Sequence, residues 1–456
     1  MSVGQLPPAA SIDAWTTTSV EAALLAMTSR RRAGGSRGPH RLAALLHALG
    51  DPHTRAPVVK VVGTDGKTSV TRLLAALATA SGDRVGATTS PHLQRIDERI
   101  RVDGAPAAPH RLGPALDRAD DAVAIVEAAW GADASARAGD QPAAMVGQRA
   151  GERLTFFEVV TATALQVFAD AAVDLAVVEA GIGGIGDATA AVASEVVVLT
   201  PVGLDHPQLG STRAEVAREK VGVLPPGGTL VSAPQRPDVE AVLAEVVAER
   251  DGHWLRAGVD HRVLERHPDA DGQTVTILGP DGAMIQVWLP LWGSHQAENA
   301  ATALAALYAV QGGWPAPDTV RTALAAVAVP GRTEQITGTA GPEVVLDGAH
   351  DLPATDALLA ALAERPVAGP TVVLLGATGG RDVEVLSDRL AAAGEVVDHV
   401  DPGAGDADLS AALACARSRA GVNGRVVVTG SLHLVGAVRS LLAARPADPS
   451  GYWPVH

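Results

Sequence analysis

Apolar, β-branched runs alternate with Ala- and Leu-rich stretches of helical period along most of the chain, the pattern of a parallel sheet wrapped by helices. Residues 57–62, 174–179, 195–200 and 228–232 predict strands, and 68–80, 158–169, 212–220 and 239–250 predict helices. Between 261 and 289 the period shortens to two. Turn signals at Asp271-Gly272 and Asp281-Gly282 there predict antiparallel hairpins. A helix resumes over 295–311, and Val329-Pro330-Gly331 then breaks the pattern. A second strand–helix series follows, with strands at 343–347, 371–375, 395–400 and 425–429. The fold class is therefore α/β. A large first domain (residues 1–328) carries a small β elaboration, and a Rossmann-like second domain spans 332–456. The Ala-, Gly- and Asp-rich stretch 132–148 reads as a mobile loop.

At 456 residues the chain exceeds the size at which one hydrophobic core stops growing, which agrees with more than one domain. Its hydrophobic content of 47% belongs to a packed globular protein. Thirty-six basic residues face 51 acidic ones, a net charge of −15, so neither nucleic acid nor an anionic membrane is an expected partner. No apolar run reaches membrane-spanning length, and Met1 to Trp15 lacks the basic-then-apolar order of a secretory leader. With Cys415 as the single cysteine no intramolecular disulfide can form. A soluble, cytoplasmic monomer is expected.

One bias sharpens the search for chemistry. Of the 36 basic residues only Lys60, Lys67 and Lys220 are lysines, leaving 33 arginines. A lysine kept against such a bias can be doing what a guanidinium cannot: presenting a compact ammonium or a nucleophilic amine. Lys60 has no motif around it and reads as chance. Lys67 lies in Val61-Val62-Gly63-Thr64-Asp65-Gly66-Lys67-Thr68, a strand, a Gly-punctuated turn and a helix start. That is the context of a phosphate-binding loop, in which backbone N–H groups face phosphates, the lysine adds a point charge and the threonine hydroxyl serves Mg²⁺. Val61 stands where the standard pattern has its first glycine, and a plain strand–helix turn with a solvated lysine is the alternative.

Gly63-Thr64-Asp65-Gly66-Lys67 is similar to the loop of the Mur ligase superfamily. Within it the chain most resembles the folylpolyglutamate synthase/dihydrofolate synthase family. The likeness runs in order through Thr89-Ser90-Pro91-His92-Leu93, Asp97-Glu98-Arg99-Ile100-Arg101, Phe157-Glu158 and Glu179-Ala180-Gly181-Ile182-Gly183-Gly184 with Asp187. It continues through Leu204-Asp205-His206, Arg218-Glu219-Lys220, His295-Gln296 with Asn299, Pro330-Gly331-Arg332, Asp347-Gly348-Ala349-His350 and Thr429-Gly430-Ser431. Ordered blocks of this number are far more specific than any single one.

The resemblance implies ATP and Mg²⁺ as cofactors, a small carboxylic acid acceptor, and glutamate as the amino acid joined to it. It implies ATP contacts from Gly63, Thr64, Asp65, Gly66, Lys67, Thr68, Asn299, Arg332 and Asp347. Magnesium ligands would be Thr68, Ser90, Glu179, His206 and Lys220, the last as a carbamate formed with CO₂. Catalytic roles fall to Lys67, Lys220, His206 and Arg332, and Arg99, His350 and Ser431 match positions around the incoming amino acid. Taken alone, each residue has a plainer reading: Glu179 a strand-end carboxylate, His206 a loop histidine, Lys220 a lysine at a helix C-terminus, Asn299 a cap.

The chain departs from the family pattern in an expected acceptor pocket around Ile185 and Asp187. Ile185-Gly186 replaces Arg-Leu, Ala190 replaces Asn, Asp351-Leu352 replaces Asn-Pro, and Pro207-Gln208-Leu209-Gly210 lacks an aromatic and one residue. Three functions follow as hypotheses: glutamate ligation to a folate or dihydropteroate, amide ligation of a different acid in a specialised pathway, or non-catalytic nucleotide-binding regulation.

Overall fold

The computed structural model describes residues 16–30, 38–137, 153–204, 206–336, 341–376, 383–393 and 396–443. Its largest sheet has eight strands in the order β4-β3-β2-β5-β1-β6-β7-β8. They are β1 (Val58–Val62), β2 (Val85–Thr88), β3 (Ile100–Val102), β4 (Ala105–Pro106), β5 (Leu175–Glu179), β6 (Val196–Leu199), β7 (Thr229–Ser232) and β8 (His253–Arg256). From β2 to β8 the pairing is parallel, while β3 and β4 add an antiparallel edge. The three central strands, β5, β1 and β6, are buried at every position, which is why they read as unbroken apolar runs rather than alternating ones.

Helices α1 (Thr17–Met27), α2 (His40–Ala48), α3 (Lys67–Ala80), α4 (Pro109–Arg137), α5 (Phe156–Asp170), α6 (Arg213–Val221) and α7 (Pro237–Glu249) cover the sheet. Ala132 to Arg137, expected in a loop, complete α4; the remainder of that expected loop lies outside the described residues. Thr155 with Glu158 and Thr212 with Glu215 close capping boxes on α5 and α6. The start of α3 is different. Gly66 stands at its N-cap and no side chain caps it, so its first N–H groups face the cleft described below.

The alternating segment forms β9 (Arg262–Pro268), β10 (Gln273–Leu278) and β11 (Met284–Leu289), a three-stranded antiparallel sheet. Its buried face, Val275, Ile277, Ile285, Val287 and Leu289, shares one core with α3, α8 (Ser294–Gln311) and α9 (Pro317–Ala325). The chain then enters a five-stranded sheet of order β12-β13-β16-β14-β15. Its strands are β12 (Glu334–Ile336), β13 (Glu343–Leu346), β14 (Thr371–Leu375), β15 (Val396–His399) and β16 (Arg425–Thr429). Helices α10 (Leu352–Ala363), α11 (Val383–Ala392), α12 (Asp406–Ala420) and α13 (Leu432–Ala443) flank it.

Two clasps hold the C-terminal sheet to the rest of the chain. Leu93, in the loop between β2 and β3, is buried in the C-terminal core with Val435 and Val438. Beside it Gln94 Nε2 donates to Ser440 Oγ at 2.7 Å, and Arg439 bonds both Gln94 and Glu334. On the other side Arg266 of β9 pairs with Glu364 at the end of α10, and the Arg365 guanidinium lies 3.4 Å over the Trp292 ring. Among the described residues no helix is long and apolar enough to cross a membrane.

Candidate active site

The carboxyl ends of β5, β1 and β6 meet the end of β13 and the start of α10 across a cleft of about 470 Å³. Open α/β sheets bind ligands at such an edge. The loop after β1 forms its floor. Gly63 (φ +143°) lies so close to Thr200 that a Cβ would come within 1.9 Å of the threonine hydroxyl. Gly66 (φ +83°) faces Asn299, whose Oδ1 would be 2.8 Å from a Cβ there. Any side chain at either position would therefore displace the loop or strain its backbone.

Lys67, the first residue of α3, folds its ammonium back to donate to the carbonyls of Gly63 at 3.0 Å and Thr64 at 2.8 Å. Thr68 donates its hydroxyl to both oxygens of Glu179, each at 3.0 Å, and the Ser90 N–H donates to the same carboxylate at 3.2 Å. The register explains the meeting: Glu179, last in β5, is paired with Val61 next door in β1. Burial pushes the Glu179 carboxyl up to about 7, against the pull of Lys67, the Ser90 and Thr68 hydrogen bonds and Arg332. Such a carboxylate invites a cation. Lys220 lies beneath the loop, buried, and donates to the Gly63 carbonyl at 2.7 Å.

The opposite wall belongs to the C-terminal sheet. Asp347, just after β13, is buried and accepts from Thr333 N–H at 2.6 Å and Ala349 N–H at 2.8 Å. Burial raises its pKa while Arg332 opposes that rise. The Arg332 charge thus reaches both Glu179 and Asp347, on the two sides of the cleft. His350 Nδ1 lies 2.8 Å from the Gly348 carbonyl, and Ser431 opens α13. His206 caps the short turn Pro207–Leu209 and lines the cleft, whereas its neighbour Asp205 lies outside the described residues.

Of the residues singled out from the sequence, Thr64, Asp65, Gly66, Lys67, Thr68, Ser90, Glu179, His206, Asn299, Arg332, Asp347, His350 and Ser431 line this cleft. Gly63 and Lys220 lie under its floor. Three more of the expected site residues lie off the cleft lining. Arg99 does not line the cleft: it is buried over the Phe156 ring and donates to His92 Nδ1 at 2.9 Å and Ser90 Oγ at 3.1 Å. It holds the Ser90 segment in place. Asp187 is buried and accepts from Ile182 N–H, Thr189 N–H and the Thr189 hydroxyl, so it ties its own loop together instead of facing a ligand. Ile185 is 50% exposed and packs over Gly222, away from the cleft.

Lys60 is not a chance survivor. It is buried in β1, donates to the Val192 carbonyl at 2.7 Å and carries its charge close to Asp187, so it pins the end of the same loop. A charged residue in the middle of Val58-Val59-Lys60-Val61-Val62 was the available signal, since a central strand admits one only with a partner. Glu298 and His295 at the start of α8 also line the cleft. Burial lowers the His295 pKa to about 4, keeping the ring neutral.

A phosphate loop with its lysine, a buried carboxylate beside it and an arginine reaching in from a second α/β unit define an ATP-dependent ligase of the Mur type. The model of the Mur ligase middle domain matches residues 136–307. The dihydrofolate synthase/folylpolyglutamate synthase of Mycobacterium tuberculosis is 33% identical over 89% of this chain and 90% of its own length. The folylpolyglutamate synthase of Lacticaseibacillus casei is 36% identical over 89% of this chain and 94% of its own. The solved Mycobacterium tuberculosis folylpolyglutamate synthase complexed with ADP and AMPPCP superposes with a TM-score of 0.78 at 31% identity, covering 94% of this chain and 99% of that one. The chain belongs to the dihydrofolate synthase/folylpolyglutamate synthase family.

Proposed function

We propose that this ligase adds glutamate to a folate or dihydropteroate acceptor through an acyl phosphate, in the cytoplasm. The observation that carries the reading is the single cleft in which Lys67, Thr68 and Glu179 face Arg332, Asp347, His350 and Ser431 from a second unit. ATP supplies the phosphoryl group. Its phosphates replace the Gly63 and Thr64 carbonyls as partners of the Lys67 ammonium, while the uncapped N–H groups of α3 point at them.

The residues present fit magnesium. Glu179 offers a buried carboxylate, Thr68 and Ser90 offer hydroxyls, and all are hard oxygen donors. Among the described residues no three of His, Cys, Asp and Glu gather as a metal cluster. A magnesium ion held by Glu179, Thr68 and Ser90 would supply positive charge to the transferring phosphoryl group. Arg332 adds positive charge from the other wall, and the acceptor carboxylate attacks the terminal phosphorus. The amino group of glutamate, held by His350 and Ser431, then displaces phosphate from the acyl carbon to form the amide. The Leu93 and Arg266 clasps keep the two walls together, excluding the water that would hydrolyse the intermediate.

One departure from the family pattern, Ile185, bears less on the cleft than its position in the sequence implies, because it faces Gly222 and solvent. That favours a folate-type acceptor over another acid. The test is phosphate release and the mass of the product with ATP, Mg²⁺, glutamate, and dihydropteroate or tetrahydrofolate, run beside a panel of other acids. Turnover on either pteridine upholds the reading. Silence on both, from protein that binds ADP normally, transfers it to another acid.

A further inference from the structure

Among the carboxylates of the cleft, Glu298 takes no part in the chemistry above. It lies on the first turns of α8 and lines the cleft beside Gln296 and Asn299, and among the described residues its carboxylate has no hydrogen-bond or ion-pair partner. Its surroundings differ from those of Glu179 and Asp347. Lys67 and Arg332 act on Glu179, and Arg332 acts on Asp347. Burial raises the Glu298 pKa, and no cation opposes that rise.

The walls near it are apolar. Helix α8 packs against β7 and α10. Ala233 and Pro234, which follow β7, and Pro353, Ala354, Ala357 and Leu358, on one side of α10, line the same cleft. A flat, apolar ring fits between such walls. A half-buried carboxylate at its edge accepts hydrogen bonds and cannot donate them, so its ligand must present N–H or O–H. With the phosphates on the Lys67 loop, the base is the flat part left for this slot.

The geometry points to Glu298 as the residue that selects the base of the nucleotide, by accepting from the exocyclic amine of adenine. This rests on the placement of ATP proposed above. A purine with a carbonyl oxygen at that position sets lone pairs against the carboxylate, and a polar mismatch of this kind discriminates more strongly than a change of shape.

The experiment is calorimetric titration of ADP, IDP and 2′-deoxy-ADP into the full chain and its Glu298→Ala, Glu298→Gln and Lys67→Ala variants, with thermal melts to confirm folding. The wild type should bind ADP about tenfold or more tightly than IDP, a single unmatched hydrogen bond being worth that much. Glu298→Ala should bring the two within about threefold, and Glu298→Gln, whose amide can donate to a carbonyl, should gain affinity for IDP. An unchanged ADP-to-IDP ratio in both Glu298 variants overturns the inference. So does a loss confined to the preference for ADP over its 2′-deoxy form, which would put the carboxylate on the ribose. The Lys67→Ala arm separates the two levels. If that variant binds ADP like the wild type, the placement of the phosphates fails; if it binds weakly while the Glu298 ratios stay fixed, only the base-selecting role fails.

Discussion

Replacing Glu179 by Gln keeps the shape of the side chain and an oxygen for the Ser90 N–H while removing the charge. In the free protein burial moves this carboxyl from 4.5 to about 7. A raised pKa means that the folded state disfavours the ionised form. The contribution to stability is thus fully present below pH 4.5 and is lost as pH rises through 7. At about 1.36 kcal/mol per pH unit, a displacement of this size corresponds to about 3 kcal/mol at pH 8. Glu179→Gln should therefore be more stable than the wild type at pH 8 by up to about 3 kcal/mol, the attraction to Lys67 being already contained in the shifted pKa. At pH 4.5 the two should nearly coincide. Urea unfolding of both proteins without nucleotide, at half-unit steps between pH 4.5 and 8.5, measures the difference directly, and the other titrating groups cancel. The same variant should lose the thermal shift that Mg²⁺ adds to ADP binding, and with it turnover. Parallel stability curves across the whole range would refute a strained, buried carboxylate, and with it the argument that Glu179 awaits a cation.

Three further outcomes follow from the same geometry. Lys67→Ala should lower kcat by about 100-fold or more as well as weakening ATP binding, because its charge counts most while the phosphoryl group is in transfer; a rise in KM for ATP alone would make it an anchor only. Lys220→Gln should abolish turnover. Isotopically labelled bicarbonate should give a carbamate signal in the wild type that this variant lacks, and the absence of that signal in nucleotide-bound wild type would leave Lys220 as a support for Gly63 alone. Leu93→Ala should remove about 2–4 kcal/mol from the packing of the C-terminal sheet against the first, seen as an earlier unfolding transition of residues 334–443 by hydrogen exchange.

Much of this molecule is written in local pattern. The apolar runs of β5, β1 and β6 and the alternation in β10 and β11 follow from burial on two faces or on one, so the strands could be placed from sequence to within a residue or two. The phosphate loop was legible for a related reason. Its glycines, Lys67 and Thr68 are consecutive, and a strand–turn–helix context suffices to aim them. What the sequence could not rank was orientation. Arg99 sits within a motif, yet only the tertiary fold turns its guanidinium inward onto Phe156, His92 and Ser90. Asp187 and Ile185 are two residues apart, and the fold of their loop over α6 buries one and exposes the other. Lys60 had no motif to announce it, because its partners, Val192 and Asp187, come from the loop between β5 and β6, far along the chain. Glu298 likewise became a candidate only when α8, β7 and α10 were brought around one slot. Residue type and spacing determine which chemistry is available. Which side chains face the cleft depends on contacts between segments more than a hundred residues apart, and only the tertiary structure decided those.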